Sequence, residues 1–229
     1  MGFSRYAMPA TTRVFTGEER ATLVRRTYSL VFASVLVTMA GVSFGLGNEG
    51  IRQSVAAHPF ITLLMMFAPL MLAQSTRLAM PQRLGLVVLF AAIEGVWLSY
   101  PISIYNQIAP GAVGQAAALT FAAFSALTVY AFVSRRDFSA FGAFVTTGLF
   151  VLFVAMLLMM FFPVSAGAYL WINALGALVM AGLLVFDTWR LRTMYGPDDY
   201  IPAAVNIYLD LLNMFLFILS MLGGGRRRN

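Results

Sequence analysis

Seven apolar runs, each close to the length that crosses a bilayer, leave this chain few ways to fold. They read at Tyr28 to Gly47, Phe60 to Leu78, Leu84 to Tyr105, Ala112 to Val133, Phe141 to Phe162, Tyr169 to Phe186 and Ala203 to Leu222. About 20 helical residues cross a hydrocarbon core of ~30 Å, and a backbone in lipid must satisfy its own hydrogen bonds, so each run is expected to be a helix. A soluble alternative fails on composition, because 60% of the 229 residues are apolar, only 10% are charged and the mean hydropathy is +0.82. The first run is too long for a cleaved signal peptide and is expected to span and stay. Connectors such as Asn106 to Gly111 and Pro163 to Gly167 leave no room for a second domain. The expected architecture is therefore an all-α integral membrane bundle of seven transmembrane helices over residues 28–222. An arginine-rich segment, 1–27, precedes it and a basic tail, 223–229, follows.

Charge placement sets the orientation. There is no cysteine, and all fifteen basic residues are arginine, so disulfides, thiolate metal sites and a retinal Schiff base on lysine are excluded. A formal charge of +6 would suggest nucleic acid in a soluble protein, but here the arginines sit at the ends of apolar runs, where topology and lipid headgroups account for them. Five precede the first span. Arg52 follows it; then come Arg77 and Arg83, none, Arg135 and Arg136, none, Arg190 and Arg192, and finally Arg226, Arg227 and Arg228. The alternation through six spans predicts a multi-pass protein with a cytoplasmic N-terminus. The last group breaks it: either the seventh run crosses against the rule, or it does not cross fully.

Three acids lie within apolar runs: Glu94, Asp187 and Asp210. An ionisable group at that depth costs roughly 2.5 to 3.5 kcal/mol on insertion scales, so it is expected to face a partner or a water-filled cavity. Asp187 lies nine residues before Gly196-Pro197, and Asp210 eight residues after Pro202. A helical hairpin brings the two back to nearly the same depth. Two adjacent carboxylates resist ionising together, since a second charge at ~4 Å costs roughly 4 kcal/mol even at an effective dielectric constant of 20, and one shared proton relieves it. The competing reading puts Asp187 at the interface, paired with an arginine, because Thr188, Trp189 and Arg190 follow it. Asn206, Asp210 and Asn213 fall at i, i+4 and i+7, a polar stripe that reads either as part of a cation path or as interhelical hydrogen-bonding glue. Glu94 either extends that path or is neutral and hydrogen-bonded. Arg77, at the end of the second run, either reaches the aspartates or snorkels to the interface.

Other patterns carry no chemistry. Gly41-Val42-Ser43-Phe44-Gly45 matches a hydrolase nucleophile motif, but that motif needs a strand-turn-helix context and a histidine base, and the lone His58 lies in a distant connector. No enzyme and no cofactor are expected. One histidine also disfavours a transition-metal site, whereas the oxygens of Asp187 and Asp210 suit calcium. Gly41 with Gly45, and Asn173 with Gly176 and Met180, place small or polar residues on single helix faces; Pro69 and Pro101 interrupt the second and third runs.

The chain resembles the Bax inhibitor-1 (transmembrane BAX inhibitor motif) family, as a bacterial member. The likeness rests on Arg83-Leu84-Gly85-Leu86 with Glu94-Gly95, on Phe124 to Thr128 leading to Ser134-Arg135-Arg136-Asp137-Phe138, and above all on Val185-Phe186-Asp187-Thr188. Asp199-Tyr200-Ile201 and Asn206 to Asn213 complete it. The resemblance implies a seven-helix fold with the last helix surrounded by the other six. It also implies a pH-sensitive calcium leak of the inner membrane in which Asp187 and Asp210 form the sensor. An arginine from the second helix, here Arg77, would latch onto the pair. The implied partners are the lipid bilayer, and calcium or protons. Some bacterial relatives instead restrain a membrane-bound ATP-dependent protease, which gives a non-conducting modulator of that protease or of a stress response as the alternative function.

Overall fold

A computed structural model of the chain describes residues 16–75 and 77–224, and nothing but helices and connectors appears among them. The helices are α1 (Gly17–Gly47), α2 (Glu49–Ala57), α3 (Pro59–Ala73), α4 (Met80–Ile108), α5 (Ala112–Val133), α6 (Ser139–Phe161), α7 (Ala166–Thr193) and α8 (Tyr200–Gly224). Six of these, all but α2 and α3, are long and apolar enough to cross a membrane unaided. The second expected span is α3, which begins at Pro59 but ends at Ala73, short of Leu78. The break at His58-Pro59 leaves α3 with 15 residues, about 22 Å of helix, and α2 completes the return from α1 to α4.

Helix α1 starts well before the apolar run. Thr16 Oγ1 accepts from the Glu19 amide at 3.2 Å and Glu19 Oε2 accepts from the Thr16 amide at 2.9 Å, a reciprocal cap that draws residues 17–27 into the helix instead of leaving them as a separate segment. Pro69 and Pro101 lie inside α3 and α4. At the motif-like Gly41 to Gly45, the chain is helical and Ser43 Oγ donates to the Met39 carbonyl at 2.9 Å, so no nucleophile elbow exists.

Burial identifies the centre. No residue of α8 from Tyr200 to Gly224 is exposed, whereas α6 shows Phe144, Phe150, Phe153 and Phe161 to the outside. Helix α8 packs mainly against α1, α4, α5 and α7, so four neighbours enclose it, with α3 lying on α4 and α6 on α7. A helix buried on every side must be apolar on every side or hydrogen-bonded where it is not. Two glycines show how closely the helices cross. A Cβ on Gly41 would come within 2.6 Å of the Ala92 carbonyl, and one on Gly176 within 2.4 Å of the Phe217 ring, so both crossings depend on the missing side chain.

The ends of the bundle differ in charge. Arg20, Arg25, Arg26, Arg77, Arg83, Arg135, Arg136, Arg190 and Arg192 all belong to the end where α1, α4 and α8 begin, while Arg52 sits at the other, its guanidinium on the Gly45 and Leu46 carbonyls that end α1. Near Gly223, α8 reaches the Tyr105 ring late in α4, so α8 runs the length of the bundle and its end lies opposite the arginine-rich face. The earliest arginines, Arg5 and Arg13, and the terminal Arg226 to Arg228 fall outside the described residues.

Candidate functional site

The α7–α8 hairpin builds the site. Helix α7 continues past Phe186 to Thr193, which places Asp187 within the helix, six residues, or ~9 Å, from its end. Asp210 lies ten residues into α8, ~15 Å along its axis. Both are buried, at 6% exposure each, and their carboxyl groups meet within side-chain hydrogen-bonding reach. Two carboxylates offer no donor to one another, so this contact is a hydrogen bond only when a proton lies between them. Asp210 Oδ2 is buried with no hydrogen-bond partner among the described residues.

The arginine at this pair is Arg190, one helical turn beyond Asp187. Its Nη1 donates to Asp187 Oδ1 at 2.8 Å, as expected for opposite charges at i and i+3. Thus Asp187 is both arginine-paired and a member of the dyad, and the two readings of it are compatible. Arg77 does not occupy the latch position. It is exposed in the α3–α4 connector, where its amide donates to Ser75 Oγ at 3.4 Å.

A lid lies over the pair at the arginine-rich end. The Arg190 guanidinium stacks 4.9 Å from the Tyr195 ring centroid and 5.6 Å from that of Phe186. Asn206 Nδ2 donates to the Tyr195 hydroxyl at 3.0 Å, and Arg20 Nη1 donates to the Tyr195 and Leu191 carbonyls at 2.7 and 3.1 Å. Arg20 therefore pins the α7–α8 turn to the first turn of α1. Burial pushes the Tyr195 phenol above its ordinary range, so this lid residue keeps its proton at neutral pH. Asp199 Oδ2 closes the turn by accepting from the Gly196 amide at 2.9 Å.

The polar stripe on α8 divides into three separate roles. Asn206 holds the lid; Asn213 turns back on its own helix, donating to the Leu209 carbonyl at 2.8 Å; only Asp210 faces α7's acid. Neither asparagine side chain bonds to the pair. Glu94 is buried, at 3% exposure, on the α4 face near Tyr208, whose hydroxyl meets Thr38 Oγ1 at 2.7 Å. Tyr208 and Asp210 are two residues apart on α8, about 200° around the helix, so Glu94 and the dyad flank α8 on different sides. Arg190, Arg20 and Tyr195 were absent from the sequence-derived site, although the i, i+3 spacing of Asp187 and Arg190 was legible.

No three carboxylate, histidine or cysteine side chains converge among the described residues. Calcium takes six to eight oxygens, and the pair supplies at most four, one of them engaged by Arg190.

Fold and site together define a polytopic helical membrane protein whose enclosed last helix presents a buried aspartate to a second one. The chain belongs to the Bax inhibitor-1 family: the family model described as "Inhibitor of apoptosis-promoting Bax1" matches residues 20–228. It is 32% identical over 206 residues to the Golgi anti-apoptotic protein of vaccinia virus (strain Lister), covering 89% of this chain and 85% of that one. Bax inhibitor 1 of Schizosaccharomyces pombe is 30% identical over 212 residues, 89% of this chain and 77% of its own. An uncharacterized protein of Deinococcus radiodurans, a bacterial relative, is 33% identical over 231 residues, 93% of this chain and 94% of its own.

Proposed function

We propose that this protein is a pH-sensitive calcium leak of the inner membrane, in which Asp187 and Asp210 sense protons and attract the cation while Arg190 competes with the cation for Asp187. The observation that carries the reading is the meeting of the two carboxyl groups inside the bundle, beneath a lid that one arginine pins. With a shared proton the carboxyls hold α7 against α8. Without it, two charges repel each other and draw a cation instead. Both effects follow the loss of the shared proton, so the flux is expected to depend on pH. The excess of arginine at one end supports a cytoplasmic position for that end, and for the N-terminus, under the positive-inside rule.

Purified protein in calcium-loaded liposomes tests the reading. Flux that varies between about pH 6 and 8 supports it. A protein that passes no ion at any pH refutes it and favours a modulator that acts by contact.

A further inference from the structure

A groove of about 640 Å³ opens between α1, the start of α4 and the α7–α8 turn, outside the aspartate site. At its rim, Arg25 and Arg26 project from α1 with Ser29 one turn below, and Asp198 projects from the turn. Neither arginine has an ion-pair partner among the described residues; Arg26 is held only over the Tyr200 ring, 5.8 Å from its centroid. Below the rim the wall becomes apolar, through Leu30, Met80 and Leu84. Arg25 and Arg26 lie just before Tyr28, where the apolar run of α1 begins, so the rim stands at headgroup depth and the apolar wall at acyl depth.

We propose that this groove binds one phospholipid of the adjoining leaflet, with a headgroup that carries both a phosphate and a primary ammonium. The phosphodiester lies between the Arg25 and Arg26 guanidinium groups and accepts from the Ser29 hydroxyl. The ammonium donates to the Asp198 carboxylate, and one acyl chain follows Leu30, Met80 and Leu84. Charge complementarity selects this occupant. Two adjacent cations and a single anion match a zwitterion with phosphate and amine at opposite ends, whereas a purely anionic headgroup leaves Asp198 facing negative charge. A trimethylated amine has no N–H to give that carboxylate. Asp198 belongs to the turn that carries the lid and Tyr200 begins α8 directly after it, so the lipid contacts the same segment that Arg20 pins.

Native mass spectrometry of the full chain in detergent tests this with phosphatidylethanolamine, phosphatidylcholine and phosphatidylglycerol of matched chains. The protein should retain phosphatidylethanolamine about tenfold more tightly than either other lipid, the factor expected for one charge-assisted contact. Arg25→Gln with Arg26→Gln should weaken retention of all three lipids, and Asp198→Asn should erase the margin of phosphatidylethanolamine over the other two. Arg135→Gln with Arg136→Gln, which removes the same charge from exposed positions at the same end, should change nothing. Equal retention of the three lipids by the wild type, a wild-type preference for phosphatidylglycerol, or retention unchanged by the Arg25 and Arg26 replacements overturns the proposal. The measurement contains no flux, so its outcome is independent of the leak reading.

Discussion

Replacing Arg190 by glutamine separates a competing latch from a bystander. The Arg190–Asp187 contact of 2.8 Å sets charge centres ~4 Å apart, worth roughly 4 kcal/mol at an effective dielectric constant of 20. The Arg190 side chain is 32% exposed, however, and screening there reduces the interaction to ~1–2 kcal/mol. Glutamine keeps a donor for Asp187 and removes the charge, so a cation no longer has to displace it. At 1.4 kcal/mol per decade, the calcium concentration that half-saturates flux should fall by about 5- to 30-fold. The assay is liposome flux against calcium concentration on the alkaline side of neutrality. Arg192→Gln, which loses a bond to the Phe132 carbonyl but touches no carboxylate, and Arg77→Gln, exposed in its connector, should leave half-saturation unchanged. Should Arg77→Gln shift it and Arg190→Gln not, the latch assignment is wrong.

Other outcomes follow from packing. Gly95→Ala puts a Cβ 2.2 Å from the Thr38 carbonyl and 3.0 Å from Gly41 Cα, both backbone atoms, so α1 and α4 must part; thermal unfolding in detergent should show a loss of ~3 kcal/mol. Gly85→Ala on the same helix meets nothing within 4 Å and should instead stabilise by up to ~1 kcal/mol; a matching sign for the two would contradict the α1–α4 crossing. Arg20→Gln removes two charge-assisted bonds to the α7–α8 turn, worth about 1.5–3 kcal/mol each locally. Amide exchange over residues 191–200 should accelerate while that of α5 does not, and equal protection in both proteins would show that Arg20 pins nothing.

Hydropathy made the bundle legible because lipid imposes length and composition on every crossing helix. It did not reveal helix ends, which are set by local hydrogen bonds. The Thr16–Glu19 cap starts α1 eleven residues before Tyr28, and α7 carries polar residues to Thr193 by packing rather than by hydropathy. That second extension carries Arg190 onto the same helix as Asp187, within 2.8 Å of it, whereas the resemblance points to Arg77. Depth arithmetic across the hairpin did bring Asp187 to Asp210, since a tight turn between two helices fixes axial register. The asparagine stripe misled because a short amide side chain can satisfy itself on its own backbone or at a turn, as Asn213 and Asn206 do. The split of α2 from α3 was written in His58-Pro59.

What the whole reading requires is that proton occupancy of one carboxyl pair governs ion passage. The direct measurement is calcium flux from liposomes across about pH 6 to 8, comparing wild type with Asp187→Asn, Asp210→Asn and the double replacement, each checked for folding by thermal unfolding. Flux that varies with pH in the wild type and becomes flat in the double variant is the expected result. A folded double variant that keeps both the wild-type flux and its pH profile would show that the sensor lies elsewhere.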